Sequence, residues 1–447
     1  MYEIALPGAA NAYEFEELIK VFLKPSEYRA RPAGGPIRGK DEINERKREL
    51  FRDLAGKTGK RPDWGILTGV RPVKLAGELI RVTGGRAPAR EALLREYLLS
   101  EEKADLILDI YAYQKRLLRD AEEKTAGLYI GIPFCPTKCL YCSFPSYQAS
   151  GPRIQAYLQA LSREITFAAS EARAAGMAVE SIYIGGGTPT TLDAGSLRGL
   201  LEETTRSFDV SGLKEVTVEA GRPDTLSEEK LRATREAGAN RVSVNPQSMR
   251  NKTLERIGRA HTAEETADAV RMAREAGIPV VNMDIIAGLP GEDAADFADT
   301  LRQIIAFGPE NITVHTLATK RASRLIDENR EFHYEQADVV REMLKDGKER
   351  LTESGYRPYY LYRQKQMAGN FENIGWCRDD AAGIYNIRVM EEAQTILALG
   401  AGGITKVFYP DENRLERVPN VSNYELYIER LDEMLSRKRN QCFPGRN

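Results

Sequence analysis

Short apolar runs alternate with longer amphipathic stretches in the middle of the chain, from Gly127 to about Thr352. Six runs have the length and composition of strands: 128–134, 181–185, 215–220, 241–244, 280–286 and 311–316. Helical periodicity follows in stretches such as 154–175, 227–237, 263–276 and 295–307, and glycines stand at expected helix ends. The alternation predicts an α/β fold with a parallel sheet, open or curled into a barrel. Functional residues are then expected at the carboxyl ends of the strands.

The flanking regions have different patterns. Before the alternating region the chain is charged, and its periodicity predicts a helix at 41–56 and two more within 90–121. After it, residues 356–362 alternate like a strand, 385–389 resemble another, 423–438 form an amphipathic helical pattern and 439–447 suggest a frayed tail. We therefore predict three parts: a mostly helical region 1–125, a core 126–352 and a mixed region 353–447.

Composition narrows the class of protein. The 447 residues are 42% hydrophobic and 29% charged, as in an ordinary soluble globular protein. A net charge of -2 gives no sign of a nucleic acid or membrane partner, and no leader or spanning segment is expected. Five cysteines, three of them clustered, favour a metal site in a reducing compartment, the cytoplasm. The chain has only three histidines, which argues against a histidine-based metal site or catalytic triad.

The three clustered cysteines, Cys135, Cys139 and Cys142, follow the first predicted strand. A closed zinc site or a self-sufficient cluster needs four ligands, and Cys377 and Cys442 are far downstream. Three thiolates on a [4Fe–4S] cube would leave one iron open to a ligand. The alternative is zinc with an outside ligand, although zinc loops usually use paired two-residue spacings.

Further candidates end the next two strands. Gly186, Gly187 and Thr188 form a turn after the second strand, where the backbone can approach a small zwitterion or phosphate. A plain connecting turn is the alternative. Glu219 ends the third strand and suits a ribose diol, or else is a solvated edge charge or the partner of an arginine.

The later strands add polar and cationic candidates. Gln247 offers an amide, and Arg259 offers a fork for a carboxylate. Asp284 lies inside an apolar run, so it needs a buried partner or a cavity. Three cations after the sixth strand would suit an anionic substrate, or form a charged solvent face: Lys320, Arg321 and Arg324.

Taken in order, the cysteine loop, the glycine turn, Glu219, Gln247, Arg259 and Asp284 resemble the radical S-adenosylmethionine superfamily. Within it the chain is similar to the oxygen-independent coproporphyrinogen III dehydrogenases and their haem-chaperone relatives. Segments 65–72, 367–373 and 390–402 resemble the HemZ branch. The resemblance implies a partial (β/α)6 barrel in the core.

The resemblance also implies roles for the candidates. Cys135, Cys139 and Cys142 would bind a [4Fe–4S] cluster whose fourth iron takes the amino and carboxylate groups of S-adenosylmethionine. The implied pocket for that cofactor consists of Tyr129, Gly186, Gly187, Thr188, Glu219, Gln247, Arg259 and Asp284. Lys320, Arg321 or Arg324 are predicted to pair with substrate propionates.

The implied reaction is oxygen-independent oxidative decarboxylation of coproporphyrinogen III propionates to vinyl groups, giving protoporphyrinogen IX. The partners expected are the porphyrinogen substrate and an electron-donor protein such as flavodoxin or ferredoxin. Two alternatives stay open: a haem-binding chaperone without turnover, for which His315 and Cys377 are possible ligands, and a radical enzyme acting on another tetrapyrrole.

Overall fold

The computed structural model describes residues 1–7, 11–33, 35, 37, 39–118, 124–318, 323–325, 332–364 and 368–443. Within them the strands are β1 Tyr2–Leu6, β2 Tyr28–Pro32, β3 Thr125–Ile132, β4 Ala178–Gly186, β5 Glu215–Glu219, β6 Arg241–Ser243, β7 Val280–Ala287, β8 Asn311–Thr316, β9 Arg357–Arg363, β10 Glu372–Cys377, β11 Thr395–Leu399, β12 Ile404–Tyr409 and β13 Arg414–Pro419.

Eleven of these strands form one sheet in the order β13-β12-β11-β3-β4-β5-β6-β7-β8-β10-β9. The six predicted strands are its parallel centre, β3 to β8, joined by β11 as a further parallel strand. Antiparallel strands finish both edges. In the described residues β3 and β8 pair with β11 and β10 and not with each other, so the sheet is open. The predicted α/β fold with a partial barrel is confirmed.

Helices cover the sheet and build the N-terminal region. The described helices are Ala12–Phe22, Lys40–Thr58, Pro72–Thr83, Arg86–Arg95, Glu101–Leu117, Gly151–Ala174, Ala194–Ser207, Glu228–Glu236, Asn251–Arg256, Ala263–Glu275, Ala294–Phe307, Phe332–Glu335, Ala337–Glu353, Ile384–Glu391, Tyr424–Glu429 and Leu431–Cys442. None of them is long and apolar enough to cross a membrane.

Local sequence signals explain where the core helices begin and end. Thr262 opens Ala263–Glu275 by a reciprocal capping box with Glu265. Gly176, Gly238 and Gly277 all have positive φ, as the predicted caps require. Apolar side chains of β3 to β8 are almost fully buried beneath these helices. The strand ends are thereby fixed in position on a packed core.

The C-terminal region differs from the sequence prediction in three places. Segment 385–389, predicted as a strand, lies in the helix Ile384–Glu391. The predicted helix 423–438 is broken at Arg430 into Tyr424–Glu429 and Leu431–Cys442. Part of the predicted tail continues that second helix, and Cys442 is buried. The division into three parts stays a prediction, although β9 to β13 extend the sheet of the core.

Candidate functional site

The carboxyl ends of the parallel strands border a cavity of about 640 Å³. Because neighbouring parallel strands end at the same edge of a sheet, residues distant in sequence meet there. The predicted cluster and cofactor residues all line this cavity: Tyr129, Cys135, Cys139, Cys142, Gly186, Gly187, Thr188, Glu219, Gln247, Arg259 and Asp284. The structure therefore brings together residues that the sequence places on five different strand ends.

The cysteine loop leaves β3 and is closed at its base by backbone hydrogen bonds. The N–H of Cys135 donates to the carbonyl of Tyr147 (3.1 Å), and the N–H of Tyr147 donates to the carbonyl of Pro133 (2.8 Å). Cys139 is buried, whereas Cys135 and Cys142 are partly exposed. The loop thus presents three thiols at one wall of the cavity.

The number of thiols at the cavity bears on the kind of metal site. Cys135, Cys139 and Cys142 line one wall, and neither Cys377 nor Cys442 is among the described residues that line the cavity. A closed zinc site needs four protein ligands. Burial raises the pKa of Cys135 and of Cys142, so metal uptake must release their protons. Three thiols fit a [4Fe–4S] cube that leaves one iron to an outside ligand.

The glycine turn packs its backbone directly on the cysteine loop. Gly186 has φ +111, a left-handed conformation that favours glycine. The N–H of Gly187 donates to the carbonyl of Ile132 (2.8 Å), and the N–H of Thr188 donates to that of Phe134 (2.7 Å). A Cβ on Gly187 would lie 2.6 Å from the oxygen of Phe134. These N–H groups are therefore engaged within the protein, and the turn offers a ligand carbonyl oxygens.

Glu219 is a carboxylic acid held in a low-dielectric part of the cavity. Burial, with a smaller contribution from the negative charge of Asp284, raises the pKa of Glu219 to about 8. The hydroxyl of Tyr183 and the N–H of Gly186 hydrogen-bond to it and partly offset the shift. Glu219 is therefore largely protonated at neutral pH when no ligand is bound.

We expect Glu219→Gln to remove part of the loss of stability that the cluster-free protein undergoes as pH rises from about 4.5 to about 8. The folded state keeps this proton up to about pH 8, whereas an ordinary glutamate loses it near 4.5. Over that interval the folded state binds more protons, so its stability falls as pH rises, by up to about 1.4 kcal/mol per pH unit. Urea unfolding of both proteins from about pH 5 to 9 measures the slopes. Parallel stability curves would show that Glu219 titrates normally.

Gln247 combines an unusual backbone with an unpaired side-chain oxygen. It has φ +71, rare for a residue with a side chain. Its N–H donates to the carbonyl of Asp284 (3.0 Å) and its carbonyl accepts from the N–H of Ile286 (3.0 Å), which fixes its backbone against β7. Its buried Oε1 has no hydrogen-bond partner among the described residues. A buried unpaired acceptor held in this way is typical of a binding site awaiting a ligand.

Arg259 connects the cysteine loop to the ends of β5 and β6. Its Nη1 donates to the carbonyl of Gly221 (2.7 Å) and more weakly to that of Asn245 (3.2 Å). Its Nη2 donates to the hydroxyl of Tyr141, 2.8 Å away in the cysteine loop. Nη1 and Nη2 are thus engaged within the protein, whereas the buried Nε has no hydrogen-bond partner among the described residues.

Asp284 belongs to a polar network that the sequence did not reveal. His315 Nε2 lies 3.4 Å from its carboxylate, and Asn282 donates to the same group (2.8 Å). Burial alone would raise the pKa of Asp284, but His315 and the hydrogen bonds hold it below the ordinary value. The Tyr362 hydroxyl lies 3.3 Å from the other nitrogen of His315. The carboxylate is therefore ionised and fixed in orientation.

Stacked tyrosines line much of the rest of the cavity. Tyr183 stacks on Tyr129 with centroids 6.3 Å apart and on Tyr385 at 4.6 Å. Tyr360 and Tyr362 stack at 6.2 Å on the other side. Sequence reasoning predicted Tyr129 but missed Tyr183, Tyr360, Tyr362 and Tyr385 as site residues. The tyrosines of segment 356–362 were the available signal, but Tyr385 was assigned to a strand that is a helix.

Of the three cations predicted to bind substrate, only Arg324 is among the described residues. Lys320 and Arg321 lie outside the described residues. Arg324 is exposed and is not among the described residues lining the cavity; its Nη2 donates to the carbonyl of Lys138, 2.8 Å away. Lysine and arginine side chains that do line the described wall are Arg222, Arg259 and Lys406.

Comparison with known proteins agrees with this geometry. The sequence model of the radical SAM superfamily matches residues 129–304. The chain is 40% identical over 390 residues to the oxygen-independent coproporphyrinogen-III oxidase-like protein HemZ of Bacillus subtilis, covering 86% of this chain and 78% of HemZ. It is 33% identical over 241 residues to the haem chaperone HemW of Haemophilus influenzae, covering 52% and 61% of the two chains.

A solved structure shares the fold. The coproporphyrinogen III oxidase HemN of Escherichia coli, described as a radical SAM enzyme, superimposes with a TM-score of 0.57 at 23% identity, covering 72% of this chain and 73% of HemN. Radical SAM proteins use a [4Fe–4S] cluster and S-adenosylmethionine, and these are the cofactors of this chain. The chain belongs to the radical SAM superfamily, in its family of oxygen-independent coproporphyrinogen-III oxidase-like proteins.

Proposed function

We propose that the protein catalyses the oxygen-independent oxidative decarboxylation of coproporphyrinogen III in haem and porphyrin biosynthesis. Two propionate side chains become vinyl groups, and the product is protoporphyrinogen IX. The observation that carries the proposal is a single cavity joining three cysteines, a polar strand-end pocket and an aromatic wall. The coproporphyrinogen-related names of HemZ and HemN agree with this substrate class.

In this proposal Cys135, Cys139 and Cys142 would hold the [4Fe–4S] cluster and leave one iron for S-adenosylmethionine. When bound, these groups would supply the radical chemistry that removes a hydrogen atom from the substrate. The chain's own contribution is to hold these groups beside the substrate and to exclude water.

The strand ends would bind the rest of S-adenosylmethionine. The carbonyls of Gly186 and Gly187 would accept hydrogen bonds from its amino group, since the N–H of Gly187 is engaged within the protein. Glu219 would bind the ribose diol, and the unpaired Oε1 of Gln247 would accept a donor of the cofactor. Asp284, ionised and fixed by His315, would add a second acceptor. The remaining predicted pocket residues are Tyr129, Thr188 and Arg259.

The substrate would lie against the tyrosines. Their ring faces suit the apolar pyrrole rings, and their hydroxyls suit the polar edges. Lys406 lines the same cavity from β12, and burial lowers its pKa to about 8, so it is still mostly charged at neutral pH. We therefore assign to Lys406 the pairing with a propionate that the sequence assigned to the cations after β8.

An anaerobic assay tests the proposal. Reconstituted protein is incubated with S-adenosylmethionine, dithionite and coproporphyrinogen III, and the products are identified by mass spectrometry. We expect mono- and divinyl products with one carbon dioxide per vinyl group, and 5′-deoxyadenosine formed with them. Deoxyadenosine without any change in the macrocycle would contradict the proposal and indicate another substrate, including another tetrapyrrole.

The second candidate function is a haem carrier without decarboxylation. It is favoured by the presence of His315 in the cavity and by the haem-chaperone name of the HemW relatives. Cys377, the other ligand considered, pairs with Asn311 at the opposite end of β8 and is not among the described cavity residues. Stoichiometric retention of haem, lost in His315→Ala, with no vinyl product would favour the carrier.

The proposal requires a source of electrons and a reducing compartment. We propose an electron-donor protein such as flavodoxin or ferredoxin, since the chain supplies only one cysteine cluster. All five cysteines are free, as expected in the cytoplasm, where we propose that the protein works.

A further inference from the structure

Arg222 is a buried cation at the wall of the cavity, immediately after the end of β5. Its side chain is only 3% exposed. Its Nη1 donates to the hydroxyl of Thr137 (2.6 Å) and to the carbonyl of the same residue (3.2 Å). Arg222 therefore binds the cysteine loop through two hydrogen bonds. The same nitrogen lies 4.0 Å from Sγ of Cys139.

Asp224 is the counterion of Arg222. It accepts from Nε (3.1 Å) and from Nη2 (3.0 Å), on the side of the guanidinium away from the sulfur. Its side chain is 18% exposed, whereas that of Arg222 is nearly inaccessible. Water screens exposed charges more than buried ones. The negative charge of Asp224 therefore cancels only part of the positive potential that Arg222 produces at the Cys139 sulfur.

The other groups around this pair do not cancel its charge. His261 Nδ1 lies 3.8 Å from Asp224, and burial lowers the pKa of His261 to about 4, so the imidazole is neutral at pH 7. Arg259, which donates to Tyr141, is a second buried cation whose charge also acts on Cys139 and Cys142, so it adds to the positive field. Thr225 donates to the carbonyl of Arg222 (2.8 Å) and fixes its backbone. A fixed net positive field therefore reaches the Cys139 sulfur.

We propose that Arg222 sets the reduction potential of the cluster by placing its charge and an N–H against the Cys139 sulfur, and that Asp224 moderates this effect. The inference rests on the proposed function, in which Cys139 binds the cluster. Reduction adds one electron to the cluster, and the added negative charge is stabilised by a nearby cation and by hydrogen bonding to sulfur. Arg222 is a positioning residue, since it acts through Cys139.

A purely structural role for Arg222 would give a different pattern of effects. If it only held the cysteine loop at Thr137, removing either partner of the Arg222–Asp224 pair would loosen the loop in the same sense. An electrostatic role requires opposite effects, because one substitution removes a positive charge and the other removes a negative charge.

The test is a redox titration of the reconstituted protein without S-adenosylmethionine, followed by the spectrum of the reduced cluster. We expect Arg222→Gln to shift the midpoint potential downwards and Asp224→Asn to shift it upwards. Arg222→Lys keeps the charge and should fall between wild type and Arg222→Gln. Thr137→Val removes one hydrogen bond of Arg222 but no charge, and should give the smallest shift.

Iron and sulfide content distinguishes a failure of the proposed function from a failure of the proposed role of Arg222. If Cys139→Ala keeps a full cluster, the proposed function fails whatever the potentials are. If every variant holds the cluster but Arg222→Gln and Asp224→Asn shift in the same direction or not at all, only the role of Arg222 is overturned. If Arg222→Gln fails to hold a cluster, the shifts of Arg222→Lys and Asp224→Asn are compared instead. Shifts in the same direction, or no shifts, then overturn the role of Arg222.

Discussion

Replacing Cys139 by alanine is expected to leave a folded protein that no longer binds an iron–sulfur cluster. Cys139 is the most buried of the three clustered cysteines and lies between the other two in sequence. Two thiolates cannot hold a cube that already lacks a fourth protein ligand. Iron and sulfide should fall from about four each per chain to a small remainder. Metal analysis and the visible spectrum after anaerobic reconstitution measure the loss, and radical activity should disappear with it.

Matched controls exist in the same chain. Cys377 and Cys442 are buried free cysteines that are not among the described residues lining the cavity. Cys377→Ala and Cys442→Ala remove a thiol of similar burial, so they should keep the cluster. Loss of the cluster in either control, or its retention in Cys139→Ala, would contradict the assignment of the three-cysteine loop.

Replacing Lys103 by methionine is expected to destabilise the protein by about 3 to 5 kcal/mol, the usual cost of leaving a buried charge without its partner. Lys103 Nζ lies 2.5 Å from Oε1 of Glu372, and their side chains are 11% and 2% exposed. Burial alone would lower the pKa of Lys103, but the Glu372 carboxylate keeps it above its ordinary value. Trp64 Nε1 donates to the other carboxylate oxygen (2.8 Å).

This network gives the N-terminal region a structural role. Lys103 and Trp64 belong to that region, whereas Glu372 begins β10, next to Asn373 of the cavity wall. Loosening the network should therefore disturb the tyrosine side of the cavity as well as global stability. Urea unfolding of the cluster-free protein measures the free energy, with the slope checked for an unchanged transition.

Lys348→Ala is the control for this prediction. Lys348 pairs with Glu102 at 2.7 Å, but the two side chains are 38% and 55% exposed. Exposed pairs contribute about 0 to 1 kcal/mol, so this change should be nearly neutral. Equal effects of the two substitutions would mean that the Lys103–Glu372 pair is not buried in solution.

The parallel core was predictable because its signals are local. Each strand is a short apolar run, and several of the long helices end next to a glycine, such as Gly176, Gly238 and Gly277, whose positive φ can be anticipated from sequence alone. β11 and the helix Ile384–Glu391 were not predictable in this way. β11 pairs with β3 although the two strands are far apart in sequence. The pattern around Tyr385 predicts a strand, and its stacking on Tyr183 is visible only in the structure.

The candidate site was predictable to a similar extent. Residues at the end of a strand, such as Glu219, or shortly after one, such as Cys135, could be placed at one edge of the sheet from topology. Contacts between residues that are distant in sequence define the roles of Arg222, His315 and Lys406. The spacing of residues along the chain does not reveal such contacts. For Arg324 the sequence suggested a substrate contact because of its charge. In the structure its guanidinium donates a hydrogen bond to the carbonyl of Lys138.

The most direct test of the proposed chemistry follows one hydrogen atom. Coproporphyrinogen III carrying deuterium at the β-carbons of its propionates is incubated anaerobically with the reconstituted protein, S-adenosylmethionine and a reductant. We predict one deuterium in each 5′-deoxyadenosine and one new vinyl group for each deoxyadenosine formed. Unlabelled deoxyadenosine together with an unchanged macrocycle would contradict this prediction.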